Sequence, residues 1–263
     1  MSVLLATTLS ERPWGVDRLP SPFHSPAGER IGEVWFTPTP PLDALLVKYL
    51  FTTEKLSVQV HPSDADAPKG SRGKEECWLI LDAEPEAKIA IGFKAPIGPE
   101  AMRAAALDGS LEDLLAWYPA RPGDFFYIPA GTVHAIGPGL TLIETQQNSD
   151  VTYRLYDYGR GRELHLDAGI AVADGSPYDP ANRRHVPRSG EVALVKGPHF
   201  RLDRLDGPPS AATTLRYDGP LLVLPLDTPL EVCGETVGPG QCALAPSLAK
   251  VEFAGRSLIA QPL

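Results

Sequence analysis

Apolar positions along this 263-residue chain fall in bursts of four to eight, many alternating with polar residues and bounded by Gly, Pro, Asp or Ser. That is the period of half-buried β-strands. Residues 31–38 (IGEVWFTP), 44–52 (ALLVKYLFT), 55–62 (KLSVQVHP), 76–85 (ECWLILDAEP), 88–93, 140–147 (LTLIETQQ) and 151–159 (VTYRLYDYG) predict strands in turn. Residues 123–137 predict a tight β-hairpin unit, with Phe125 and Tyr127 as strand formers and Pro129, Gly131 and Gly137 as turn positions. The period changes once. GPEAMRAAALDG and SLEDLLAWY predict two short helices over about 98–118, with Ser110 and Asp113 as a capping box. Residues 1–30 read as loop, and 171–190 (AVADGSPYDPANRRHVPRSG) as a linker. Beyond it short strands recur: EVALVKG, FRLDRLDG, LLVLPLD, PLEVCG, KVEFAG and SLIAQPL. The pattern predicts an all-β chain with a helical excursion. Residues 1–170 form one domain, 171–190 link, and 191–263 form a second β-domain.

Composition supports that division. Pro 28 and Gly 24 supply turns, while 43% hydrophobic residues suffice for a buried core. A net charge of −9 with no basic stripe argues against a nucleic-acid partner. No apolar run is long enough for a transmembrane helix, and the start MSVLLATTLSERPWG lacks the basic and apolar regions of a secretory signal. Cys77, Cys233 and Cys242 have neither paired nor metal-type spacing, so reduced thiols in a cytoplasmic protein are expected.

The candidate chemistry sits in the first half. Gln59 and His61 are two apart on one strand and share a face, with Val58 and Val60 opposite. Glu76 shares a face with Trp78. His134 closes the spacing G-x5-P-x-G-x2-H that runs from Gly123 through Pro129 and Gly131. A lone histidine in a hairpin is more often a core residue; here the whole spacing is filled. In the second half, 240–246 repeats G-x5-P, but the position corresponding to His134 is Val251, so that domain reads as metal-free. Gln59, His61, Glu76 and His134 together make a mixed N/O donor set suited to Zn²⁺ or a similar divalent ion.

The spacing that ends at His134 resembles the second sequence motif of the cupin superfamily. LSVQVHPSD, GKEECWLILDAEP, PGDFFYIPAGTVHAIG and IETQQNSDVTYRLYDYGR together resemble the type I phosphomannose isomerases within it, in a compact form without the large helical insertion. The resemblance implies two cupin (jelly-roll β-barrel) domains, the second degenerate, and one zinc ion bound by Gln59, His61, Glu76 and His134. It implies Ser57 and Arg160 near the substrate phosphate, and Lys74 and Arg154 in catalysis, with Glu144 and Asp150 as acidic neighbours. It also implies interconversion of D-mannose 6-phosphate and D-fructose 6-phosphate through an enediol. Such a reaction needs a base at C2 and a positive centre for the charge developing on oxygen. The base stays open among a carboxylate, an ion-activated water and His134. The alternatives are a non-catalytic sugar-phosphate-binding cupin and, less favoured, an Fe(II) oxygenase, since two histidines and a carboxylate also describe that site type. The expected partner is a small-molecule sugar phosphate, with no nucleic acid or membrane, and the expected state a monomer or homodimer.

Overall fold

The computed structural model describes residues 3–263; Met1 and Ser2, at the head of the expected first domain, lie outside them. Twelve strands build the first half: β1 (Thr7–Val16), β2 (Ile31–Phe36), β3 (Leu45–Thr52), β4 (Val58–Val60), β5 (Glu76–Ala83), β6 (Lys88–Phe93), β7 (Leu115–Pro119), β8 (Asp124–Ile128), β9 (His134–Ile136), β10 (Leu140–Gln147), β11 (Tyr153–Tyr156) and β12 (Arg183–His185). They form a seven-stranded sheet, β1-β2-β3-β10-β5-β8-β12, facing a five-stranded sheet, β11-β4-β9-β6-β7. Helices α1 (Pro99–Asp108), α2 (Leu111–Leu114) and α3 (Leu166–Val172) cover the outside of the smaller sheet.

The second half repeats the plan with β13 (Val192–Lys196), β14 (Phe200–Asp206), α4 (Ala211–Thr214), β15 (Leu221–Pro225), β16 (Leu230–Val232), β17 (Glu235–Val237), β18 (Ala243–Ala245), β19 (Val251–Glu252) and β20 (Arg256–Pro262). Its larger sheet runs β13-β14-β20-β15-β18. That is the chain order of β2-β3-β10-β5-β8 over again, and β18 occupies the place of β8. The two jelly-roll sandwiches share one core. Val47, Tyr49, Phe51, Cys77, Leu79 and Ile143 on the outer face of the seven-stranded sheet pack with Leu202, Leu222, Leu224 and Leu258 of the second half. The central strands β3 and β10 are therefore buried on both faces, which is why they read as nearly continuous apolar runs. Among the described residues no helix is long and apolar enough to cross a membrane.

Four expectations are corrected. The segment read as loop over residues 1–30 contains β1, ten residues long and paired with β2 from Thr7↔Phe36 to Val16↔Ile31 across two irregularities. The second expected helix ends at Leu114, and Leu115–Pro119 is a strand paired with β6. Trp117 and Tyr118 fit a pleated surface, and ladder pairing outweighed the i, i+3 spacing of the leucines. Ser110 makes no capping hydrogen bond to α2; its hydroxyl donates to Asp108 at 2.6 Å instead. The expected hairpin over 123–137 is not one: β8 lies in the larger sheet and β9 in the smaller. The turn between them crosses the sandwich, with Gly131 at φ 84° donating its N–H to the carbonyl of His61 (2.8 Å). Residues 171–190, which run between the two halves, carry the end of α3, a 3₁₀ turn at Pro180–Asn182, and β12, the edge strand beside β8.

Candidate active site

Two rows of side chains face each other inside the first sandwich, and strand register sets both. In the larger sheet Trp35 pairs across from Lys48, Lys48 from Glu144, and Glu144 from Trp78. In the smaller sheet Arg154 pairs across from Gln59 and Gln59 from His134. Directly opposed residues in adjacent strands point to the same side. Residues scattered from 35 to 154 thus converge on one lumen.

His61, Glu76 and His134 converge there, fully buried, with their candidate ligand atoms all within 4.8 Å of one another. The Nε2 atoms of His61 and His134 lie 3.5 and 3.4 Å from the two Glu76 oxygens. Each imidazole uses its other nitrogen on a backbone carbonyl, His61 Nδ1 on Val151 (2.8 Å) and His134 Nδ1 on Thr132 (2.9 Å). A carbonyl only accepts, so both Nδ1 atoms carry the hydrogen and both Nε2 atoms present lone pairs. Burial holds both imidazoles neutral: that of His61 is well below its ordinary pKa, and that of His134 is brought down to about 4. Burial, and then the Glu144 charge, push Glu76 up to about 7, while Lys74 pulls the other way. Among the described residues Oε1 of Glu76 has no hydrogen-bond partner. The lone pair of His134 Nε2 faces that unpartnered oxygen and the lone pair of His61 Nε2 faces Oε2, so acceptor atoms converge from three side chains on one buried point, and a cation fits there. Gln59 stands beside them, its Nε2 3.3 Å from His134 Nε2 and its Oε1 accepting from the Ser57 hydroxyl (3.0 Å). A half-turn of the amide presents its oxygen to the cluster and leaves its nitrogen on Ser57. The alternation of β5 points Glu75 the other way, to the Tyr127 hydroxyl.

A chain of buried charges backs the cluster. Lys74 bonds Glu76, reaches His61 Nε2 at 3.0 Å and lies 3.6 Å from Glu144. Burial opposes the Lys74 charge, but Glu144 and Glu76 outweigh it and hold the ammonium above its ordinary pKa. Glu144 pairs with Lys48 at 2.9 Å and accepts from Trp78 Nε1 at 3.1 Å. Burial works against its charge too, yet Lys48 and Lys74 bring it down to about 2. Lys48 lies 4.6 Å from the Trp35 ring centroid and 4.0 Å from Glu33, which binds Arg12 at 2.6 Å.

The lumen opens as a cavity of about 790 Å³ whose wall includes Ser57, Gln59, Lys74, Glu144, Asp150 and Arg154. Nine of the ten residues read from the sequence thus meet at or immediately behind one cavity: these six, with His61, Glu76 and His134 in contact with Lys74 or Gln59. Arg160 is the exception. Its guanidinium bonds the Lys55 carbonyl, lies 3.5 Å from Asp157 and stacks 5.2 Å from the Tyr158 centroid, and it does not line the cavity. Nor do Glu144 and Asp150 pair with Arg154, whose side chain donates to the Glu163 carbonyl (3.3 Å) and faces His165 Nδ1 at 3.5 Å. The sequence reading missed Arg12, Glu33, Lys48, Arg162 and His165, all on the cavity wall. Of these Lys48 and Glu33 carried a signal, as the one charge inside LLVKYLFT and inside IGEVWF.

No family model matches the chain. Over 139 residues, 49% of the chain, it is 48% identical to the mannose-6-phosphate isomerase ManA of Bacillus subtilis, covering 44% of that protein. Over 185 residues, 64% of the chain, it is 36% identical to a probable mannose-6-phosphate isomerase, GmuF, of the same organism, covering 58% of it. The chain thus spans about half the length of the curated relatives it matches. The solved mannose 6-phosphate isomerase of B. subtilis superposes with a TM-score of 0.79 at 25% identity, covering 98% of both chains. The chain is thus similar in sequence to mannose-6-phosphate isomerases over about half its length, and it shares the fold of one of them over nearly all of it.

Proposed function

We propose that the protein is a metal-dependent aldose–ketose isomerase that interconverts D-mannose 6-phosphate and D-fructose 6-phosphate through an enediol, with one Zn²⁺ held by His61, Glu76, His134 and Gln59. The observation that carries the reading is the convergence of two neutral imidazole lone pairs on the two oxygens of Glu76, one of them unpartnered, beside a cavity walled with cations. Nitrogen and oxygen donors of this mix suit zinc. A bound divalent ion supplies Lewis-acid polarisation of the substrate oxygens.

The chain's own groups do the rest. Lys74, kept cationic by Glu144 and Glu76, places a positive charge beside the oxygens on which charge develops. Arg154, one strand over from Gln59, adds a further positive charge to the cavity wall. His134 and His61 are committed as donors and are not the base. Proton removal from C2 falls to a carboxylate on the cavity wall, Glu144 or Asp150, and Glu144→Gln against Asp150→Asn separates the two. Ser57 orients the Gln59 amide and lines the cavity where substrate enters. In this division of labour residues 1–170 carry the reaction and 191–263 brace the sheet behind it. The reading places the enzyme in the cytoplasm, as a monomer or homodimer acting on a small sugar phosphate alone.

The test is a coupled assay of mannose 6-phosphate conversion on metal-stripped protein, with and without Zn²⁺. Turnover restored by zinc and abolished in His134→Ala supports the reading. Zinc binding without turnover on this substrate overturns it in favour of a binding role or another sugar phosphate.

A further inference from the structure

Three guanidiniums reach the same cavity from separate parts of the chain: Arg12 on β1, Arg154 on β11 and Arg162 in the segment that follows. Two are locked in place by carboxylates. Arg12 binds Glu33 at 2.6 Å and the Glu11 carbonyl at 3.0 Å. Arg162 grips Asp157 through two nitrogens at 2.7 and 2.6 Å, which leaves Nη1 unspent. Among the described residues Arg154 has no carboxylate partner. Only its Nη1 is engaged, by the Glu163 carbonyl and His165, although a guanidinium offers five N–H donors. Burial, and then the charge of Arg162, lower its pKa from the ordinary value, with a smaller contribution from Arg12. Three like charges gathered at one cavity, two braced and one unneutralised, are arranged for an incoming anion.

Distance gives the anion's place. Arg154 pairs across from Gln59, and Gln59 from His134, so Arg154 and His134, at the far side of the donor cluster, stand two strand spacings apart, roughly 10 Å. A six-carbon chain with its carbonyl at one end and a phosphate at the other has that reach.

We propose that Arg12 and Arg162, together with Arg154, form the seat for the phosphate monoester dianion of the substrate, and that Arg160 does not. The choice of a sugar phosphate rests on the isomerase reading above; the seat itself rests on the guanidiniums. Arg12 and Arg162 become the residues that select a phosphorylated sugar over a neutral one, and the seat sets the substrate with its carbonyl end toward His61, Glu76 and His134.

The test is isothermal titration of the zinc-loaded protein with sorbitol 6-phosphate, which cannot isomerise, and with sorbitol. Arg12→Gln and Arg162→Gln are each expected to weaken sorbitol 6-phosphate binding by about 10- to 100-fold, the loss of one charge-assisted contact. Neither should change the response to sorbitol, and Arg160→Gln should change either ligand less than about twofold, within the spread of a surface substitution. Because Arg162 neutralises the buried Asp157, the double variant Asp157→Asn/Arg162→Gln keeps the test alive if the single one misfolds. Loss of binding in Arg160→Gln equal to that in Arg12→Gln overturns the proposal, as does unchanged binding in both Arg12→Gln and the double variant. The outcomes separate from the isomerase reading. Anion binding that obeys these variants in a protein inactive on mannose 6-phosphate keeps the seat and removes the reaction. Turnover with KM unchanged in Arg12→Gln and Arg162→Gln keeps the reaction and removes the seat.

Discussion

Lys48→Met is expected to be among the most damaging single substitutions in the lumen, through Glu144. The two residues are direct cross-strand partners, both at least 95% buried, and joined at 2.9 Å. An unfolded glutamate titrates near 4.5 and Glu144 near 2. At 1.36 kcal/mol per pH unit that difference corresponds to about 3 kcal/mol of stabilisation of the ionised form. Lys48 is the larger of the two cationic contributors and Lys74 the smaller, and contacting residues of one ion-pair network couple by about 0.5–3 kcal/mol, so the Lys48–Glu144 pair is placed at about 2 kcal/mol. The sign is fixed by the depressed pKa: the stabilisation is fully present above pH 4.5 and is lost as the pH falls toward 2. Removing the lysine also strands a buried charge, so Lys48→Met alone should cost about 3 kcal/mol or more at pH 7. Urea denaturation of wild type, Lys48→Met, Glu144→Gln and the double variant at pH 7 isolates the pair as a double-mutant cycle. A coupling of about 2 kcal/mol is expected. A coupling below about 0.5 kcal/mol, the scatter of independent sites, or a wild-type advantage over Lys48→Met undiminished between pH 4.5 and the acid limit of folding, refutes the reasoning.

Other outcomes follow from the same geometry. Glu76→Gln and His134→Ala should each weaken Zn²⁺ by at least about 100-fold in chelator competition, since each removes one of three converging donors and second-sphere changes alone cost 10- to 100-fold. Trp78→Phe deletes the donor to Glu144 and half of an edge-on contact with His134 (centroids 5.3 Å apart); a loss of about 1–2 kcal/mol in thermal unfolding is expected. Gly137→Ala puts a Cβ 2.3 Å from the carbonyl oxygen of Lys88, a backbone collision that should cost about 2 kcal/mol or more and shift Tm accordingly. Gly73→Ala meets the backbone of Asp64 and Ser63 at 2.4 and 2.5 Å next to Lys74, so at equal zinc loading it should lower kcat more than it changes metal affinity.

The sequence by itself determined most of the strands, the candidate donor residues and the face each candidate occupies. Period 2 is a local property: Gln59 and His61 two apart, and Glu76 rather than Glu75 in step with Trp78, follow from alternation whatever the neighbouring strands are. The glycines and proline before His134 likewise fix a turn within the chain. What alternation does not contain is partnership. That β8 and β9 enter opposite sheets, that β1 pairs with β2 and carries Arg12 to the cavity, and that Lys48 lies against Glu144 are matters of register between distant segments. Lys48 shows as a charge in an apolar run, but its acid is 96 residues away in sequence. Arg160 and Arg162 are alike in sequence. Only the fold sends one to the Lys55 carbonyl and the other to the cavity wall. Local chemistry is written in the chain's periodicity, while the meeting of charges is decided by which strands pair, because a β-ladder joins residues by space and not by sequence.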